Sequence, residues 1–261
     1  MTPRLVKQLL YGSLYILVIA VIFWLIYIFF LKPAPTCFDK TKNQGEVGID
    51  CGGPCPACEI TQLKPLTVDW SMALPARENE ISVLAEITNP NINFGARTFS
   101  YQFKIIGPFG SLLKTINGQS FIYPGEIKYI LEPTLKINLS DVSRTEFSID
   151  KNSIIWQSGK ELARQNLSSN SVKTTVASQG VTVRGVVKNE NPLLISQVKI
   201  MAILYNSLGN KILNASFTTI TDLKGQEERL FNIELPKGDW NKQVDSSRTK
   251  IFIEPLITKL P

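Results

Sequence analysis

Residues Ile81 to Asn91 read "ISVLAEITNPN", and roughly one hundred positions later Val181 to Asn191 read "VTVRGVVKNEN", so that Asn89 aligns with Asn189 and Asn91 with Asn191. In the first stretch Ile81, Val83, Ala85 and Ile87 alternate with Ser82, Leu84, Glu86 and Thr88. In the second, Val181, Val183, Gly185 and Val187 hold the matching places. A period of two over eight residues predicts a half-buried strand in each copy, with the first set facing a core. Further blocks follow in the same order: Phe99, Tyr101, Phe103 and Ile105 correspond to Val198, Ile200, Ala202 and Leu204, and "DVSRTEFSID" from Asp141 to "DSSRTKIFIE" from Asp245. Three ordered blocks make an internal repeat, and the chain is read as two copies of one domain.

Turn signals separate the strands. Gly107 to Gly110 and Asn206 to Gly209 supply hairpin chemistry, and "YPGE" from Tyr123 with "LKGQ" from Leu223 marks a second reversal. Phe147 with Ile149, and Ile251 with Ile253, close each unit. Short strands without a long amphipathic helix between them predict a mainly β chain of two tandem antiparallel β-sandwiches, immunoglobulin-like or fibronectin-like, at residues 62–156 and 170–261 with a linker at 157–169.

Ahead of the repeats, "LLYGSLYILVIAVIFWLIYIFFL" runs from Leu9 to Leu31, 23 residues without a charge. At about 1.5 Å per residue a helix of that length crosses the ~30 Å hydrocarbon core of a bilayer. It predicts an uncleaved transmembrane signal anchor, since the run exceeds the h-region of a signal peptide and "LKPAPT" offers no small-x-small cleavage site. Arg4 and Lys7 in a tail of residues 1–8 predict the amino terminus inside and the bulk of the chain outside the cytoplasm.

All four cysteines, Cys37, Cys51, Cys55 and Cys58, fall in "CFDKTKNQGEVGIDCGGPCPAC". On the oxidising side of a membrane an even number predicts two disulfides, of which four cysteines allow three pairings, forming a collar at residues 32–60. The spacing suits a zinc ribbon poorly, and the chain has no histidine. Asp39, Asn43, Glu46 and Asp50 are hard oxygen donors of the kind that hold Ca²⁺, without EF-hand spacing; turn capping is the favoured reading of the four. Turn formation is likewise the reading of Asn89, Asn91, Asn189 and Asn191, and packing that of Trp70, Trp156 and Trp240. Asn138, Asn166 and Asn214 begin N-x-Ser sequons.

The cysteine pattern resembles a short module of prokaryotic surface and secreted proteins, whose usual form has Gly where Lys40 stands. It implies export. The second copy, from Gly180 to Ile212, looks like the FxLYD domain, with Ala202 in place of the Phe and Asn206 in place of the Asp. The "ITNPN" of the first, Ile87 to Asn91, is similar to the Asn-Pro-Asn turn of late-embryogenesis-abundant type 2 (WHy) domains. These resemblances imply sandwich folds with binding or structural duty.

Function follows as an expectation. Without histidine or a Gly-rich phosphate loop, no catalytic constellation stands out and no cofactor is expected. The net charge of +6 is not gathered into a basic block, so no nucleic-acid partner is expected either. The chain reads as a noncatalytic cell-membrane protein, a surface spacer or adhesion module with a protein or glycan partner. The alternative is a structural or assembly subunit of an envelope complex such as an export or pilus machine.

Overall fold

The computed structural model describes residues 3–27 and 36–256. The chain divides into two compact units, residues 1–62 and residues 63–261. In the first unit, helix α1 spans Pro3–Ile26. The expected span from Leu9 to Leu31 is not shown: among the described residues, no helix is long and apolar enough to cross a membrane. Helix α1 starts earlier than the apolar run, so Arg4 and Lys7 lie in its first turns. Residues 28–31, the outer end of the expected span, lie outside the described residues.

The second unit is mainly β and carries the repeat in its topology. In the first copy, β1 (Thr67–Pro75), β2 (Ile81–Thr88), β3 (Phe94–Ile106), β4 (Leu112–Ile122), β5 (Ile127–Leu135), β6 (Arg144–Ile149) and β7 (Ile155–Ser158) make two antiparallel sheets. One has the order β1-β2-β5 and the other β4-β3-β6, with β7 paired to the start of β3. In the second copy, β8 (Leu167–Ala177), β9 (Gly180–Asn189), β10 (Ile195–Tyr205), β11 (Ile212–Leu223), β12 (Glu228–Pro236) and β13 (Lys250–Pro255) reproduce both sheets, as β8-β9-β12 and β11-β10-β13. Strand β8 begins inside the stretch expected to be a linker, and β7 extends past residue 156; the connection is therefore shorter than 157–169.

The alternating residues form the two cores. Ile81, Val83, Ala85 and Ile87 on β2 meet Phe99, Phe103 and Ile105 on β3 inside the first sandwich. Val181, Val183 and Val187 meet Val198, Ile200, Ala202 and Leu204 inside the second. Gly185 has no side chain because the Phe231 ring fills its space: an added Cβ would stand 2.7 Å from that ring. Trp156 packs against the first core and Trp240 lies within the second.

The repeated asparagines close one end of each sandwich. Asn89 is buried, and its amide nitrogen donates to the carbonyls of Phe94 at 2.8 Å and Tyr123 at 2.9 Å, tying the β2–β3 and β4–β5 turns together. Its Oδ1 accepts from the backbone nitrogen of Asn91 at 3.0 Å. Asn189 does the same to Leu193, Leu223 and Lys224, with Asn191 donating to its Oδ1. Asn91 and Asn191 then exchange hydrogen bonds with the backbones of Lys64 and Asn166, the segments that lead into β1 and β8. The second reversal aligns one residue differently from the sequence reading: Glu126 corresponds to Glu227, since these two carboxylates accept from Tyr123 N and Lys224 N at 2.8 Å each. Gly125 and Gln226 share the left-handed conformation there, at φ 62° and 61°.

The sandwiches are not separate beads. The outer face of β1-β2-β5 lies against the outer face of β11-β10-β13, where Leu74, Leu84, Tyr129 and Leu131 pack on Met201, Ile203, Tyr205 and Ala215. Strand β2 is therefore buried on both faces, with Ser82 and Leu84 covered by the other copy, which corrects the half-buried reading. The same holds for the far half of β10, and apolar residues on both sides of a strand mark a sheet covered on both sides. The copies stand side by side in parallel. Asn214 at the start of β11 donates to the Pro75 carbonyl at the end of β1, while Lys128 near the start of β5 pairs with Glu254 near the end of β13.

Candidate functional site

The cysteine segment forms two disulfides, Cys37–Cys55 and Cys51–Cys58. The carboxylates that could have ligated Ca²⁺ are occupied by the segment's own backbone. Glu46 is 5% exposed, and its Oε2 accepts from the backbone nitrogens of Asn43 at 3.3 Å and Asp50 at 3.1 Å. Both oxygens of Asp50 accept from Lys40 N, at 3.0 and 2.9 Å. Asp39 accepts from Asn43 Nδ2 at 2.8 Å and from Thr36 N and Thr41 N, donors that hold its carboxyl below the ordinary range. A metal-sized cluster of Cys37, Glu46 and Cys55 exists, but both of its sulfurs are spent in a disulfide and are not thiolates. The segment's glycines have steric causes. Gly53 is at φ 64°, where a Cβ would stand 2.4 Å from the Gly45 carbonyl oxygen. Lys40 is itself at φ 59°, a left-handed conformation that ordinarily favours glycine.

The sequons separate. Asn138 and Asn166 are exposed, whereas Asn214 is 2% exposed in the junction between the copies, its amide nitrogen given to Pro75. A glycan on Asn214 has no room in this fold, so that candidate is withdrawn. The sequence shows the motif; burial is decided by the other repeat.

Between the copies lies a cavity of about 370 Å³ that sequence reasoning missed. Strands β3, β4 and β5 bring Arg97, Tyr101, Phe121, Lys128, Tyr129 and Glu132 to it, and β10 and β13 bring Lys199 and Glu254. The ammonium of Lys128, 4% exposed, pairs with Glu254 Oε2 and sits 3.9 Å above the Phe121 ring. Lys199 approaches Oε1 of the same carboxylate at 3.9 Å and lies 4.5 Å from the Phe217 ring centre. Burial pushes the Lys199 ammonium down, opposed by Glu254. The Tyr101 hydroxyl donates to Glu132 Oε1 at 2.5 Å, and burial first, then that carboxylate, drives the phenol up so that it stays neutral. Beside the cavity an aromatic row crosses the junction. Trp70 donates to Glu86 at 3.0 Å and lies 6.0 Å from Tyr129, whose ring is 4.6 Å from Phe252.

A second feature repeats at the other end of the unit. The β3–β4 turn presents Phe109, fully exposed and at φ 58°, and the β10–β11 turn presents Leu208 at 75% exposure. Each precedes a left-handed glycine, Gly110 or Gly209. The sequence aligned those glycines but gave no sign that the residue before each points into solvent.

Comparison with known proteins adds little. No family model matches the chain, and no curated protein does. Among solved structures, red sea bream transglutaminase is similar at 11% identity and a TM-score of 0.27 over 76% of this chain, which spans 32% of that one. The N-terminal CBM22-1–CBM22-2 tandem domain of Xyn10C from Paenibacillus barcinonensis is similar at 7% identity and a TM-score of 0.16, covering 74% of this chain and 84% of that one. Likeness at this level carries no functional argument.

Proposed function

We propose that the chain is a noncatalytic, membrane-anchored protein that holds a stiff pair of sandwiches outside the cytoplasm as a spacer or adhesion module for a protein or glycan partner. The observation that carries the reading is the surface of α1. Leu10, Tyr11, Leu14, Tyr15, Phe23 and Trp24 are all more than half exposed, on every side of the helix. A helix apolar all round is not stable in water and calls for lipid or an apolar partner around it. The disulfides agree with an oxidising compartment. A covered junction of apolar residues between the copies suits a spacer, because it removes the hinge that a free linker would provide.

The test is alkaline extraction of membranes from cells expressing the full chain, combined with a membrane-impermeant label on intact cells. Retention in the membrane with the carboxyl-terminal region labelled is expected. Release by alkali, or protection of that region, overturns the reading. The alternative, an assembly subunit of an envelope complex, is favoured by the same apolar helix if a partner's helix covers it. Replacing residues 9–31 with an unrelated apolar helix separates the two: a captured complex lost on the swap favours assembly, and binding retained by the swapped chain favours the spacer.

A further inference from the structure

We infer that Lys128 and Glu254 form an intramolecular isopeptide bond, a covalent amide that ties the two repeats together across their junction. Strand register brings the groups into place. Glu254 on β13 stands directly opposite Lys199 on β10, and Lys128 reaches the same carboxylate from β5 of the other copy. The Lys128 side chain is 4% exposed, and its nitrogen bonds Glu254 Oε2 while lying 3.9 Å from the centre of the Phe121 ring. The count of hydrogen-bonding groups separates a covalent joint from an ordinary ion pair. An ammonium carries three N–H donors, and a buried ion pair offsets the desolvation of its charges only when the remaining protons find acceptors. Among the described residues, Lys128 has one acceptor, Glu254 Oε2, and beyond it an aromatic ring. An amide nitrogen joined to Glu254 Cδ keeps a single N–H, which needs no more than that ring offers. Condensation also removes one charge of each sign from a site shielded from water, so the net charge around Lys199 and Glu132 does not change.

The step is self-contained. One proton passes from the Lys128 ammonium to Glu254 Oε2 along their hydrogen bond, leaving an amine beside a carboxylic acid. The amine nitrogen attacks Cδ and forms the C–N bond, and the charge that builds on Oε1 faces the Lys199 ammonium 3.9 Å away. A second proton then moves from the nitrogen to Oε2, the Cδ–Oε2 bond breaks, and one water leaves into the adjoining cavity of about 370 Å³. Nothing is oxidised or reduced. Amine and acid are held together by strands of two docked sheets, and such placement gives well-oriented intramolecular reactions an effective molarity of about 10⁵–10⁸ M. The bond makes the junction permanent.

Intact-mass spectrometry of the full chain, purified in detergent, held folded overnight and then reduced, tests the bond. The expected mass is one water below that of the unlinked chain, and proteolysis should yield a branched peptide joining the segment with Lys128 to the segment with Glu254. Lys128→Met is expected to restore the full mass. If that variant does not fold, Lys128→Arg takes its place, since it keeps the charge and forms no such amide. Lys199→Met should slow formation about a hundredfold by removing the cation beside Oε1; unslowed formation keeps the bond and overturns the part given to Lys199. A native chain of full mass overturns the inference. So does a lost water that peptide mapping places elsewhere, or one that persists in the Lys128 variant. The readout needs only the docked copies and is separate from membrane retention: a chain released by alkali can carry the bond, and a retained one can lack it.

Discussion

Replacing Asn189 by alanine tests whether the repeated asparagines hold the sandwich ends together. Its amide nitrogen donates to Leu193 O at 2.8 Å, Leu223 O at 3.1 Å and Lys224 O at 3.0 Å, and its Oδ1 accepts from Asn191 N at 3.0 Å and Asn191 Nδ2 at 2.8 Å. The residue is 0% exposed, so the groups left behind are not all rehydrated. At roughly 1 kcal/mol net per bond, with two amide hydrogens shared among three carbonyls and the outer groups regaining water, the loss is about 3 kcal/mol. For a unit of this size that lowers the midpoint of thermal unfolding by about 6–12 °C. Asn189→Asp adds a pH signature. Ionised, the carboxylate faces three carbonyl oxygens; protonated, it still donates to one. Its folded pKa therefore lies above the unfolded value of about 3.9. With the folded pKa raised, the stability it contributes is fully present below the unfolded pKa and is lost as pH rises through the folded one. The deficit of the Asp variant against the native chain should grow between pH 4 and pH 7, followed by circular dichroism melts at both. A midpoint shift under about 2 °C for the Ala variant, or equal deficits for the Asp variant at the two pH values, refutes the reasoning.

Other outcomes follow from the same geometry. Leu84→Ala, at a fully buried site on the β2 face toward the second copy, should cost about 3 kcal/mol and begin to split one calorimetric transition into two; an unchanged single transition at the native temperature would speak against a shared core. Lys40→Gly relieves a left-handed φ of 59° and should slow exchange of the Lys40 amide, which is bonded to Asp50, by about fivefold in hydrogen-exchange measurements. Mass spectrometry of unreduced peptides should yield Cys37 joined to Cys55 and Cys51 to Cys58, and any other pairing contradicts the described segment. In a glycosylating host Asn138 and Asn166 are open to modification, while Asn214 should stay bare in the folded chain; a glycan there would mean that the junction had not formed.

The sequence alone determined the strands and the repeat. Period-two alternation is a local property of each strand, so Ile81, Val83, Ala85 and Ile87 declare an inward face wherever the strand goes. The recurrence of Asn89 and Asn91 as Asn189 and Asn191 marked equivalent turns, although the reason for two asparagines per turn is the pinning of Lys64 and Asn166, which lie about 25 residues upstream. Other features belong to the tertiary structure. Leu84, Met201 and Ile203 stand on faces that alternation assigns to water, and only the docking of the two sheets covers them. Four cysteines are compatible with three pairings until the backbone brings Cys37 to Cys55 and Cys51 to Cys58, each pair within disulfide reach. Asn214 loses its sequon and Lys199 gains its cavity for the same physical reason: each faces a surface made by residues more than fifty positions away, and no local pattern in the chain records how one repeat lies against the other.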